Sequence, residues 1–112
     1  MAPTGGQVIA GQAGIVQTGN QTTITQNSAL AIINWQSFSI GANQTVQFVQ
    51  PGASSIALNR VIGADPSVIM GTLTSNGQVF LINPNGVLFG NGSSVSVGGL
   101  VATTMSLADA DF

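Results

Sequence analysis

The sequence contains no cysteine, no histidine and no tyrosine, and only four of its 112 residues carry charge: Arg60, Asp65, Asp109 and Asp111. Each absence removes a chemistry. A single Arg with no Lys cannot neutralise a row of phosphates, so nucleic-acid binding by counterion release has almost nothing to work with. Without His, Cys or Glu there is no zinc site of the usual ligands, no Cys-His or Ser-His nucleophile pair and no CxxC redox motif. A carboxylate pair for glycoside hydrolysis would have to come from the three Asp, two of which lie within four residues of the last position. The composition therefore reads as that of a protein that is not an enzyme and carries no metal or other cofactor. Long apolar runs are missing as well. The longest is Ala29 to Ile33, five residues, far short of the ~20 that a spanning helix needs. With no Tyr and one Trp, the aromatic girdles of an outer-membrane barrel are absent too, so the chain is not expected to span a membrane in either architecture. Neither a basic nor an apolar leader is visible in Met1-Ala2-Pro3-Thr4-Gly5-Gly6, which fits a cytosolic protein or a mature exported segment. The lack of cysteine fits both.

What is present is polarity without charge. Ser, Thr, Asn and Gln supply 40 residues and Gly another 15, yet 44% of the chain is apolar, with ten Ile and eleven Val. Disordered segments lack that hydrophobicity, so the chain is expected to fold. Lys and Glu, two good helix formers, are missing, and β-branched residues and Gly interrupt every helical window. Short apolar or alternating stretches bounded by Gly, Asn or Pro recur instead. They predict strands at Gln7 to Ala10, Thr22 to Gln26, Leu30 to Ile33, Ser37 to Ile40, Thr45 to Val49 and Ser55 to Leu58. Further strands are expected at Val68 to Leu73, Gln78 to Ile82, Gly86 to Phe89, Ser94 to Val97 and Leu100 to Thr104. The fold class is all-β, and no linker, low-complexity tract or clear sequence repeat divides residues 1–112 into more than one domain.

Two architectures fit this spacing. Asn76-Gly77, Asn85-Gly86 and Asn91-Gly92 are hairpin-type dipeptides and keep a sandwich or barrel open. Strands this short, broken every six to ten residues, also fit a parallel β-solenoid, in which apolar side chains stack inward and Asn, Ser and Thr form hydrogen-bonded ladders at the corners.

The stretch NGQVFLINPNGVLFGNGSSVSVGGLVATT, Asn76 to Thr104, resembles the N-terminal secretion domain of two-partner secretion exoproteins, the group that includes filamentous hemagglutinins and related adhesins. Upstream segments agree in order: GGQVIAGQAGI from Gly5, TTITQNSALAIINWQSFSIG from Thr22 and VQFVQPGASSIALNRVIGADPSVIMGTL from Val46. The resemblance implies a right-handed parallel β-helix with an N-terminal cap at the front of a long protein, exported through the periplasm to the surface or surroundings of a Gram-negative bacterium. It implies recognition by the polypeptide-transport-associated (POTRA) domains of an outer-membrane transporter, followed by nucleation of β-helix folding in the passenger. A host surface or a glycan, met by the full exoprotein, is a further implied partner. The alternative is an adhesive, carbohydrate- or cell-surface-binding β-helix module. A polysaccharide lyase or hydrolase on the same fold would need acids and bases that are not there.

Eight residues match family motifs and form the candidate partner-binding or secretion site. Asn83-Pro84-Asn85-Gly86 matches the family's NPNG signature. Physically it is a tight turn, with φ set at Pro84, Asn85 tolerant of the left-handed region and Gly86 free to take positive φ. It either closes a solenoid corner or touches the transporter. Asn34-Trp35 reads as a buried aromatic plug with Asn34 bonded to a nearby turn, or as an exposed docking spot. Asn59-Arg60 reads as a loop-ordering contact, with Arg60 bound to Asp65 or a carbonyl, or as partner recognition. The related NPNL tetrapeptide of many members is absent. Family domains also continue beyond Met105-Ser106-Leu107, so the chain reads as an N-terminal fragment with an open last coil.

Overall fold

The computed structural model describes residues 2–104, which form twelve strands and no helix. Accordingly, no helix among them is long and apolar enough to cross a membrane. The strands are β1 (Gln7–Ala10), β2 (Ala13–Thr18), β3 (Gln21–Gln26), β4 (Leu30–Trp35), β5 (Thr45–Val49), β6 (Ile56–Val61), β7 (Ser67–Ile69), β8 (Thr72–Ser75), β9 (Gln78–Ile82), β10 (Val87–Phe89), β11 (Ser94–Ser96) and β12 (Gly99–Thr103). They assemble into three sheets in the orders β1-β4-β6-β9-β12, β2-β3-β5-β8-β11 and β7-β10. From β3 onward every pairing is parallel, each strand lying beside its counterpart from the previous coil. The result is a β-solenoid of about four turns.

The N-terminal segment departs from this parallel rule and closes one end. Thr4 bridges Ser37 antiparallel, β1 runs antiparallel to β4, and β2 runs antiparallel to β3. Residues 4–18 thus retrace the first coil backwards over all three faces, giving its outer strands a partner instead of an open edge. The chain then reverses between Thr18 and Gln21. Gly19 has φ of 58° and, among the described residues, no non-glycine residue has positive φ, the pattern of a II′ hairpin with glycine in its first central position.

Strict parallel register turns sequence alternation into columns. Ala31, Ala57, Val79 and Leu100 stack in one inward column, and Ile33, Asn59, Leu81 and Ala102 in the next. From the facing sheet come Val46 and Leu73, and Ile24 beside Phe48. Trp35, Phe38, Ile40 and Ile69 complete the same core, all at most 1% exposed. The corner between the two large sheets is held by amides. Gln50, 5% exposed, donates Nε2 to Gln26 Oε1 (3.2 Å) and Gln78 O (3.1 Å), and its Oε1 accepts from Gly77 N (3.0 Å). Asn76 adds a reciprocal pair with the Gln50 backbone, accepting from N at 2.7 Å and donating to O at 2.6 Å. No buried side-chain N or O lacks a partner among the described residues.

Several expectations are corrected. None of the three Asn-Gly dipeptides makes a hairpin. Each turns a corner between consecutive strands of one coil, and those strands belong to different sheets. Ser37 to Ile40 is no strand but two isolated bridges, Thr4↔Ser37 and Ile40↔Ile69. Val68 to Leu73 divides into β7 and β8, because a corner at Met70-Gly71 moves the chain to the next face. Strand β2 escapes sequence reading because Gly14 interrupts it and its two faces do not differ in polarity.

Candidate functional site

The eight motif residues converge on one corner of the solenoid. Asn34-Trp35 ends β4, Asn59-Arg60 lies beside it near the end of β6, and Asn83 follows directly on β9. Because side chains alternate along a strand, this cluster divides into an inner pair, an outer pair and a corner turn.

Trp35 and Asn59 point inward. They are 1% and 0% exposed, and the indole Nε1 donates to Asn59 Oδ1 at 2.9 Å. Asn59 Nδ2 in turn donates to Phe80 O on the next coil at 3.2 Å. The Trp35 ring meets Phe38 edge-on, centroids 5.4 Å apart at 74°, a favoured aromatic geometry. Trp35 is thus the core plug anticipated from its apolar flanks, with Asn59 as the polar partner of its indole.

Asn34 and Arg60 point outward and sit directly opposite each other in the ladder. Arg60 Nε donates to Asn34 Oδ1 at 2.9 Å. Asn34 therefore binds its strand neighbour and not a nearby turn, and among the described residues Asp65 is not the ion-pair partner of Arg60. Parallel register explains this: it holds Arg60 against Asn34 on the sheet, while Asp65 lies beyond the strand in the following corner.

The NPNG segment forms that corner one coil later. Gly86 N donates to Asn83 O (3.0 Å), closing a β-turn, and Asn85 N donates to Asn83 Oδ1 (3.0 Å). Gly86 takes φ of 120°, which excludes other residues in practice. Asn85 keeps negative φ, so its tolerance of the left-handed region is unused. Both amides reach the preceding coil. Asn83, fully buried, donates Nδ2 to Asp65 O (2.9 Å) and Ser67 Oγ (3.0 Å), and Asn85 Nδ2 donates to Gly63 O (2.8 Å). Ser67 N completes the strap by donating to Gly86 O (2.9 Å). Asn83 is buried within these bonds, whereas Pro84 and Asn85 stand exposed at the apex, with Leu88 (61%) exposed three residues after Asn85 and Ile62 (56%) exposed next to Gly63, whose carbonyl Asn85 binds.

The chemistry available here is hydrogen bonding by amides and backbone. The two charged groups among the described residues, Arg60 and Asp65, are not paired with each other, and no group of three metal-ligating side chains occurs among those residues. Sequence reasoning missed the Gln26-Gln50-Asn76 ladder. Its signal was present: Gln26 follows Ile24, and Gln50 follows Phe48, at the same inward spacing.

Comparison with known proteins agrees with this architecture. The family model for the TPS secretion domain matches residues 1–112. The chain is 48% identical over 105 residues to a heme/hemopexin-binding protein of Haemophilus influenzae, a match covering 94% of this chain and 12% of that protein. A second heme/hemopexin-binding protein of the same species is 49% identical over 90 residues, 80% of this chain and 10% of the relative. Among solved structures, the HMW1 secretion domain from Haemophilus influenzae superposes with a TM-score of 0.93 at 39% identity, covering 97% of this chain and 29% of that one. The filamentous hemagglutinin secretion domain superposes with a TM-score of 0.67 at 21% identity, 93% of this chain and 42% of the other, a likeness of fold alone. A reverse-coil cap, parallel coils and an NPNG corner thus occur in a chain whose whole length matches one family, and the protein belongs to the TPS secretion domain family of large exported proteins.

Proposed function

We propose that this chain is the recognition element by which the POTRA domains of an outer-membrane transporter select a large exoprotein in the periplasm, and that its coils then seed the β-helix of the passenger outside the cell. The observation that carries this reading is the polarity of the solenoid. One end is sealed by the retraced first coil, while successive strands are added in parallel register away from that end. Each new coil in such a stack gains its stability from the coil before it, so a preformed, capped start removes the unfavourable nucleation step. The NPNG corner serves this role by holding β9 and β10 to the preceding coil, with its exposed apex available to the transporter.

Recognition by main-chain pairing and apolar contact, and not by charge steering, follows from a surface with one cation. The test is binding of the chain to the soluble POTRA domains of its transporter as NaCl rises from about 50 to about 500 mM, where ion-pair-driven complexes lose orders of magnitude in affinity. Affinity retained within about threefold supports the proposal. A steep loss, or no binding at any salt, overturns it.

A further inference from the structure

We infer that the free edge of cap strand β2 is where an extended strand of the transporter docks by β-augmentation, an inference that rests on the recognition role proposed above. β2 ends its sheet, in the order β2-β3-β5-β8-β11, and pairs with β3 through all six residues without a bulge. In a ladder closed by a two-residue turn, Thr18 and Gln21 form a hydrogen-bonded pair, and such pairs then alternate along the strands. The bond from Asn27 N to Gln12 O (2.8 Å) shares that parity. The N–H and C=O groups of Ala13, Ile15 and Gln17 consequently point away from β3, and they have no backbone partner among the described residues.

Proteins ordinarily protect such an edge with charge, proline, a bulge or brevity. β2 has none of these. It carries no charged residue and no Pro, most of its residues are exposed, and Val16 stands 62% exposed on its outer face. The contrast with β1 is internal: that edge strand is four residues long and breaks register between Val8 and Ala10. β10 and β11 are three residues each.

The occupant follows from direction and length. The matched relatives are many times longer than this chain, which covers 12% of one of them, and coils added in sequence stack on the β11 side. The β2 edge faces the other way, away from the coils that follow, and the transporter is the molecule that a two-partner exoprotein must meet. Six residues of regular strand offer three donors and three acceptors to an incoming strand, with the apolar Val16 beside them to set register.

The experiment compares the chain with Val16→Lys and Gly14→Lys for binding to the soluble POTRA domains of the transporter, with Ile9→Lys on β1 as control. Val16 is exposed, and a side chain added at Gly14 meets no atom within 4 Å, so both variants keep the fold, which circular dichroism and thermal melting verify. We expect at least about tenfold weaker binding for each β2 variant and no change for Ile9→Lys, because lysine on an edge strand opposes strand addition. Wild-type binding with undiminished affinity in both β2 variants overturns the β2 edge while leaving the recognition role standing. Failure of the wild type to bind overturns both. Lysine variants that abolish only self-association, measured by sedimentation, assign the edge to a second copy and overturn the inference.

Discussion

Trp35 Nε1 donates to Asn59 Oδ1 at 2.9 Å across adjacent coils, inside a core where both residues are at most 1% exposed. The bond lets a large aromatic fill the solenoid without an orphaned N–H, and it locks the rung of β4 to that of β6. Asn59→Leu keeps the branched four-atom side chain but leaves the indole N–H unpaired, and is expected to cost about 1–3 kcal/mol. Asn59→Ala adds a cavity and is expected to cost about 2–4 kcal/mol. Urea denaturation followed by Trp35 fluorescence checks the order, and equal stability of Asn59→Ala and wild type would refute the role assigned to this bond.

At the NPNG corner the two asparagines are unequal. Asn83→Ala removes two bonds to the preceding coil and the acceptor for Asn85 N, all at a buried site, so a loss of about 2–3 kcal/mol is expected. Asn85→Ala loses the Gly63 strap at an exposed position and should cost about 1 kcal/mol or less. Thermal melts of the two variants measure the difference.

The apex and the strap are separable by substitution. Pro84 is exposed, so Pro84→Ala should change stability by less than about 1 kcal/mol. If the apex touches the transporter, this variant weakens POTRA binding while Tm is nearly unchanged. Binding indistinguishable from wild type would leave NPNG as a structural corner alone.

The buried Gln50 amide is bonded to Gln26, Ser55, Gly77 and Gln78. Gln50→Leu should destabilise by about 2–4 kcal/mol, since it leaves buried groups of three coils unsatisfied. Hydrogen exchange at the Gly77 and Gln78 amides should accelerate first, and unchanged protection there would contradict the ladder's role.

Asn34 and Arg60 form the outer counterpart of the Trp35-Asn59 pair, but both are only partly buried. Asn34→Ala is expected to cost no more than about 1 kcal/mol, far less than either Asn59 variant. The comparison tests whether these neighbouring motif residues divide into an inner structural pair and an outer, weakly coupled one.

Much of this was written in the residues themselves. Ile24, Phe48, Ile33 and Leu81 recur at inward spacing in short strands, and a chain that has no ionic side chains to spare must satisfy its corners with amides, which is why composition pointed to stacked β-structure. The order of motifs through NPNG pointed to the family. What the residues could not show was which strand lies against which. Asn-Gly signals a turn equally well in a hairpin and at a solenoid corner, because the local backbone is indifferent to where the next strand pairs. The alternation that places Asn59 inside and Arg60 outside depends on register, and register is set by whole coils stacking. For the same reason Arg60 proved to bond Asn34 and, among the described residues, not the sequence-near Asp65, and β2, poor in local signal, became a strand only because the edge of β3 was there to pair with it. Composition and motif order determined the class of the fold and the family; long-range parallel pairing alone decided the partners, the cap and the exposed edge, since those contacts join residues tens of positions apart whose meeting no local preference encodes.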